Sequence, residues 1–349
     1  MEGNRPKVCV VGGGVIGLGS AYFIKDLTIG HQGVDVTVIA ERYHPDITSS
    51  VAAGFWAVLD IVTVCKPEQL AKLRKWSVST WDHMNSLNCS EEATEAGTCL
   101  SFGYTLLDKP DPHFLEFWRD TFFNFRKMGN SELEMFPPFR HGYSYITLLS
   151  DSVRYVPWLM NKLKEKNVRF ITRKINSLVE LAKDYDVIVN CTGLGAAQLV
   201  GDSRVQPGRG QVIKVQAPWI KQFVIAVEEN AFYYIFPGPD TVVLGGTYQK
   251  DNWNLEPTDE DRKNIWEGCC KVIPSLKHAK VLRDAVGLRP LRDSVRLESE
   301  LITTPQGRKW VVHNYGHGGA GITTHWGCGQ EAAELVKDCL QKIVLQAKL

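Results

Sequence analysis

The sequence predicts an α/β protein: a Rossmann-like nucleotide-binding domain with an inserted, mostly antiparallel β domain. Three observations predict it. A glycine-rich turn, Gly12-x-Gly14-x-x-Gly17, stands between an apolar β-type run and a helical one. The stretch from Gln206 to Gln249 has strand character, with turn residues between its runs. A second glycine-rich run, Gly316-His-Gly-Gly-Ala-Gly321, leads into a final helical segment. At 349 residues the chain is long for one domain and suits two interleaved ones.

Taken in order, Lys7 to Val11 is a short apolar run bounded by glycine and reads as a buried strand. Leu18 to Leu27 has helical character, and Val34 to Ala40 is a second strand ending at Glu41, which completes a βαβ unit. Residues 43–60 read as a loop. Pro67 to Leu87 is helical, with Leu70, Leu73, Trp76 and Trp81 at roughly helical spacing. Residues 100–150 carry many aromatics and no clear period. Val153 to Glu165 reads as a helix, and 168–172 and 187–190 read as strands that rejoin the first sheet. Strands are expected at Gly210–Gln216, Phe232–Phe236 and Thr241–Gly245. A helix is expected from Glu256 to Val272, a strand at Val311–Tyr315 and a long last helix from Thr324 to Leu345. The nucleotide-binding domain is thus expected from residues 1–60, 150–205 and 305–349. Residues 61–149 and 206–304 supply the substrate and interface part.

In the first motif, one glycine makes the tight turn, the second admits a pyrophosphate to the backbone, and the third lets helix and strand pack closely. Free N–H groups at the helix N-terminus face the phosphates. Glu41 is placed to bind a ribose 2′-hydroxyl, which disfavours NADP; Arg42 beside it is ambiguous. The fingerprint alone leaves FAD and NAD both open.

Hydrophobic residues at 44% and charged residues at 23% fit an ordered globular chain. A net charge of +1 gives no global field for nucleic acid or an anionic membrane. The longest apolar run, Val8 to Gly19, is too short for a membrane span. The N-terminus goes directly into a strand, and no secretory signal is expected. Nine scattered cysteines without a Cys-x-x-Cys pair suggest reduced buried thiols rather than zinc or disulfides, and no metal site is expected. Asn88-Cys-Ser and Asn190-Cys-Thr are read as chance matches to the glycosylation pattern. Gly-x-Ser-x-Gly does not occur, so a serine nucleophile has no motif support.

Seven segments together resemble the D-amino-acid oxidase family, the flavoenzymes that include D-amino-acid oxidase and D-aspartate oxidase. They are Val10 to Leu18, Val51-Ala-Ala-Gly-Phe-Trp56, Val187 to Gly193, Pro207-Gly-Arg-Gly-Gln211, Tyr234-Ile-Phe-Pro-Gly238, Gly287-Leu-Arg-Pro290, and His313 to Gly321 running into His325-Trp-Gly327. They occur in family order along almost the whole chain. The resemblance implies FAD as cofactor, held by Gly12, Gly14, Val15, Ile16 and Gly17, with Glu41 and Arg42 at the adenosine end. It adds Thr48, Ser49, Ala53, Gly54, Ile175, Gly318, Ala320, Gly321, Ile322 and Thr323. Ile47 and Ala57 depart from polar residues of mammalian members.

For the substrate, the resemblance implies that Arg289 anchors the α-carboxylate with help from the Tyr234 hydroxyl. The Gly319 carbonyl accepts from the amine. Tyr233, Tyr248 and Trp56 are further pocket candidates. His317 and His325 are read as structural, because hydride transfer from the α-carbon to flavin N5 needs no acid or base from the protein. Tyr248 stands where acidic-substrate members carry an arginine, and a second such arginine falls near Ile225 or Ala226. Lys250 is near but out of register. The expectation is therefore oxidative deamination of neutral or small D-amino acids to 2-oxo acids, ammonia and hydrogen peroxide. The alternatives are a D-aspartate oxidase, an NAD-dependent dehydrogenase and a non-catalytic protein on the same fold. Partners are expected to be the D-amino acid and oxygen, with a homodimer left open. The terminal Ala347-Lys348-Leu349 is a variant of the Ser-Lys-Leu address, read by the peroxisomal import receptor, and implies the peroxisome matrix.

Overall fold

The computed structural model describes residues 5–57, 67–111 and 117–346. The terminal tripeptide 347–349 lies outside them.

A six-stranded sheet runs in the order Arg296–Thr304, Gly307–Tyr315, Val187–Asn190, Lys7–Val11, Asp35–Ala40, Arg169–Thr172. Lys7–Val11 is central and parallel to both neighbours, with Val8 opposite Val36 on one side and Val187 on the other. Val8, Cys9 and Val10 are wholly buried, so this strand is apolar on both faces, as a parallel strand covered by helices must be. Val15–Lys25 and Gly321–Gln346 cover the face of Val8 and Val10, and the short turn Leu178–Leu181 covers that of Cys9 and Val11; Pro67–Asn88 packs outside, against Gly321–Gln346. The edge hairpin Arg296–Thr304/Gly307–Tyr315 is antiparallel. The divide expected at 304/305 therefore runs through a hairpin, and Arg296–Thr304 sits in the nucleotide-binding sheet.

A nine-stranded sheet forms the second layer. Its order is Gln249–Lys250, Gln206–Gln216, Val242–Gly245, Ala231–Pro237, Phe223–Glu228, Thr98–Leu107, His141–Ser150, Phe123–Lys127, with Lys280–Leu291 also paired to Gln206–Gln216. All its pairs are antiparallel except Phe223–Glu228 with Thr98–Leu107. The helix Asp259–Val272 packs one face, burying Ile265, Cys269 and Cys270 against Ile213, Val224, Ile235 and Leu244. Thr258 caps this helix by accepting the Asp261 N–H at 3.3 Å, and Asp259, Glu260 and Asp261 complement its dipole.

The strands Thr98–Leu107, His141–Ser150, Phe223–Glu228 and Lys280–Leu291 were not expected from the pattern. The first two are buried on both faces along much of their length, so the alternation that marks a half-exposed strand is missing. Lys280–Leu291 carries Arg283, Asp284, Gly287 and Pro290, residues that read as loop; its long antiparallel register with Gln206–Gln216 overrides them.

Candidate active site

Between the two sheets lies a cavity of about 1470 Å³, lined by both glycine-rich runs and by the second sheet. Gly12 leaves its strand at φ +127°, a conformation open to glycine. A Cβ at Gly17 would lie 2.0 Å from the Gly12 carbonyl oxygen, so Gly17 lets the helix close on the turn. Gly17 is off the cavity wall, and its contribution is packing. Gly12, Gly14, Val15 and Ile16 line the cavity. Gly14 caps Val15–Lys25 with no side-chain bond, and the Val15 N–H donates to Ser49 Oγ at 3.1 Å. This leaves helix-terminal N–H groups and the positive end of the dipole for a phosphate. Glu41, Arg42, Arg173, Lys174 and Ile175 line one end, with Glu41 3.9 Å from Lys174.

Thr48, Ser49, Ala53 and Gly54 line the middle. Their loop is tied to both layers. Thr48 Oγ1 donates to the Leu288 carbonyl at 3.2 Å, Ser152 Oγ donates to the Ala52 carbonyl at 2.6 Å, and the Ser150 N–H donates to the Gly54 carbonyl at 2.9 Å. Gly318, Gly319, Gly321 and Ile322 close another side, where Gly321–Gln346 begins. Ala320 and Thr323 are buried behind that wall, and Thr323 Oγ1 donates to the Ala57 carbonyl.

Strand alternation sorts the aromatic candidates. Phe232, Tyr234 and Phe236 face the cavity. Tyr233 faces the other way, its ring against Gly268 and its hydroxyl donating to Asn264 Oδ1 at 3.1 Å. Tyr233 is therefore not a pocket residue; the two-residue period of its strand could have shown this. Trp56 is also off the cavity: it is fully buried among Trp81, Trp118 and Phe122. The chain turns inward after the wall residue Phe55, which takes Trp56 into the core.

Tyr234 stacks on Phe236 at 4.6 Å, and Phe236 on Phe55 at 4.4 Å. Burial raises the Tyr234 pKa and the Arg289 charge opposes it, so the hydroxyl keeps its proton and can donate. Arg289 is half-buried on the wall. Its Nη1 donates to the Thr247 carbonyl at 3.1 Å, and its guanidinium lies 5.4 Å from the Tyr248 ring centre. Among the described residues no carboxylate lies within ion-pair distance of Arg289, which leaves a fork of N–H donors for an external anion. Tyr248 and Ile225 line the cavity, while Ala226 is buried on the far face. The Thr247 contact to Arg289 is not among the sequence-based expectations, because it is made by a backbone carbonyl, which no side-chain pattern marks.

The histidines are not poised as bases. Burial pushes His317 down to about 3 and His325 to about 4, so both are neutral near pH 7. His325 Nδ1–H donates to the Ile322 carbonyl at 2.8 Å, and its Nε2 accepts from Tyr155 Oη at 2.7 Å. Among the described residues the one cysteine on the wall is Cys191, and burial raises its thiol to about 12, so it is not a nucleophile near neutral pH.

The model for the family described as FAD dependent oxidoreductase matches residues 7–335. The chain belongs to that family. FAD is its cofactor, and the glycine cradle, the uncapped helix terminus and the Glu41 end fit that group. The chain is 40% identical over 341 residues to D-aspartate oxidase of Homo sapiens, covering 97% of each. It is 32% identical over 348 residues to D-amino acid oxidase of Dugesia ryukyuensis, covering 98% of this chain and 99% of that one. It is 34% identical over 330 residues to D-amino-acid oxidase of Rubrobacter xylanophilus, covering 94% and 95%. Glycine oxidase from Geobacillus kaustophilus shares the fold of this flavoenzyme, with a TM-score of 0.78 at 19% identity over 96% of this chain and 95% of that chain.

Proposed function

We propose that this flavoenzyme oxidises D-amino acids, with neutral or small side chains preferred. The observation that carries the reading is the pairing of Arg289 and Tyr234 on one wall of the FAD cavity. A guanidinium with open donors and a protonated phenol form a carboxylate site. Gly319 lies on the wall, and its carbonyl is the acceptor this reading assigns to the substrate amine. Two fixed points on the substrate leave one face of its α-carbon toward the flavin, and orientation of this kind supplies most of the rate enhancement. FAD held against this wall would supply the acceptor for the α-hydrogen and its electron pair, with oxygen as the final acceptor and hydrogen peroxide as the second product. The imino acid then hydrolyses in water to a 2-oxo acid and ammonia. No protein base is needed, in keeping with the neutral His317 on the wall.

The relatives named D-aspartate oxidase favour a second reading, in which acidic D-amino acids are preferred. That reading needs a second cation near the substrate. Among the described residues of the wall, the cations other than Arg289 are Arg42, Arg173 and Lys174, all beside Glu41 at the adenosine end. Glu228 and Glu229 line the substrate half, each bonded to a lysine. This charge pattern supports the neutral preference. Oxygen uptake with a panel of D-amino acids decides between them; a kcat/KM for D-aspartate well above that for D-alanine would reject the neutral reading. Residence in the peroxisome matrix rests on Ala347-Lys348-Leu349, and deletion of these three residues is expected to leave a fluorescent fusion in the cytosol.

A further inference from the structure

We infer that Arg209 is a positioning residue for the substrate carboxylate anchor, acting through the segment 247–258. The inference rests on the reading of Arg289 as that anchor. Arg209 is wholly buried, in the strand Gln206–Gln216. Its neighbours Gly208 and Gly210 face Arg289. The Gly208 carbonyl lies 3.5 Å from Arg289 Nη1, and a Cβ on Gly210 would lie 2.4 Å from the same nitrogen. By strand alternation Arg209 faces away from Arg289, toward the start of the helix Asp259–Val272.

There its N–H groups are fully engaged. Nε donates to the Asn254 carbonyl at 2.8 Å. Nη1 donates to Gln249 Oε1 at 2.9 Å and to Asp261 Oδ2. Nη2 donates to Gln211 Oε1 at 3.1 Å and to the Glu256 carbonyl at 2.8 Å. Gln211 completes the stitch. It takes the Thr258 N–H at 2.9 Å and gives its own side-chain N–H to the Thr258 carbonyl at 3.0 Å. Its backbone N–H donates to Thr247 Oγ1 at 2.8 Å. One arginine and one glutamine thus hold both ends and the middle of 247–258.

That segment matters to the anchor at two points. The Thr247 carbonyl is the 3.1 Å acceptor that locates the Arg289 guanidinium. The Arg289 guanidinium lies over the Tyr248 ring, 5.4 Å from its centre, and Trp253 and Leu255, both more than half exposed, line the same cavity. A buried arginine with all its donors used is a rigid part, and lysine, with three donors on a flexible stem, cannot reproduce its planar five-point contact. Loosening it should let Thr247 and Tyr248 drift, with the anchor following.

The test uses the FAD-loaded enzyme with Arg209→Lys, which keeps a charge beside Asp261. A second variant, Gln249→Leu, cuts the loop-side bond while the Arg209–Asp261 pair stays. Both are expected to raise KM for D-alanine and the dissociation constant of benzoate about tenfold, with kcat within threefold of wild type. Amide exchange in residues 250–257 should rise, while exchange in Lys7–Val11 stays as in wild type. The folded variants would overturn the inference if they kept wild-type KM and benzoate affinity, or if they lost kcat at unchanged KM. A wild type that turns over no D-amino acid would overturn the carboxylate reading itself, and the inference with it.

Discussion

Replacement of Arg289 is the perturbation whose magnitude the structure constrains best. In the folded protein its guanidinium bonds to the Thr247 carbonyl at 3.1 Å and grazes the Gly208 carbonyl at 3.5 Å. Neither is an ion pair, so Arg289→Ala should cost the fold about 1 kcal/mol or less. The loss toward substrate is larger. A bidentate guanidinium–carboxylate contact contains two charge-assisted hydrogen bonds of about 1.5–3 kcal/mol each. Removing both forfeits about 3–6 kcal/mol, or about 10²–10⁴-fold in kcat/KM. Arg289→Lys keeps the charge and one bond, and should lose about 10–150-fold. The assay is oxygen consumption with D-alanine, with flavin content and Tm measured on the same preparations. The reasoning is refuted if Arg289→Ala, fully loaded with FAD, stays within threefold of wild-type kcat/KM.

Gly14→Val should give a protein purified largely without flavin, because its Cβ would already lie 3.2 Å from Ser49 Oγ and the added methyls fill the pyrophosphate approach; flavin absorbance per protein is the readout. Tyr248→Arg places a second cation beside Arg289 and should raise kcat/KM for D-aspartate relative to D-alanine, compared with both substrates on wild type. Stability should fall with acid. His83 and His317 titrate at about 3 and His325 at about 4 in the fold, against about 6.5 when unfolded. The unfolded chain therefore binds protons first. Stability is fully present above about pH 6.5 and is lost progressively as pH falls toward 4, with all three histidines acting in the same direction. Thermal melts between pH 7.5 and 4.5 check this, and a flat Tm would contradict the buried neutral histidines.

The nucleotide half of the fold was legible because its determinants are local. A valine-rich strand, three spaced glycines and an acid at the next strand end lie within the first 41 residues. The proposed carboxylate pair rests, on the sequence side, on resemblance alone. Arg289 and Tyr234 sit on strands that do not pair with each other, and no spacing in one sequence brings them together. Tyr233 and Trp56 show the opposite failure. Each stands beside a wall residue in sequence, yet strand alternation and an inward turn send each into a core. The strand Lys280–Leu291 was hidden by its charges and proline, since its stability comes from a partner about 70 residues earlier in the chain.

The most direct test of the account is anaerobic mixing of the FAD-loaded enzyme with each enantiomer of alanine, followed by the visible flavin absorbance. The account holds that Arg289, Tyr234 and the Gly319 carbonyl present one face of the α-carbon to the flavin. It predicts rapid loss of the oxidised flavin band with D-alanine and none with L-alanine. Equal reduction by the two enantiomers, or reduction by neither, would contradict it.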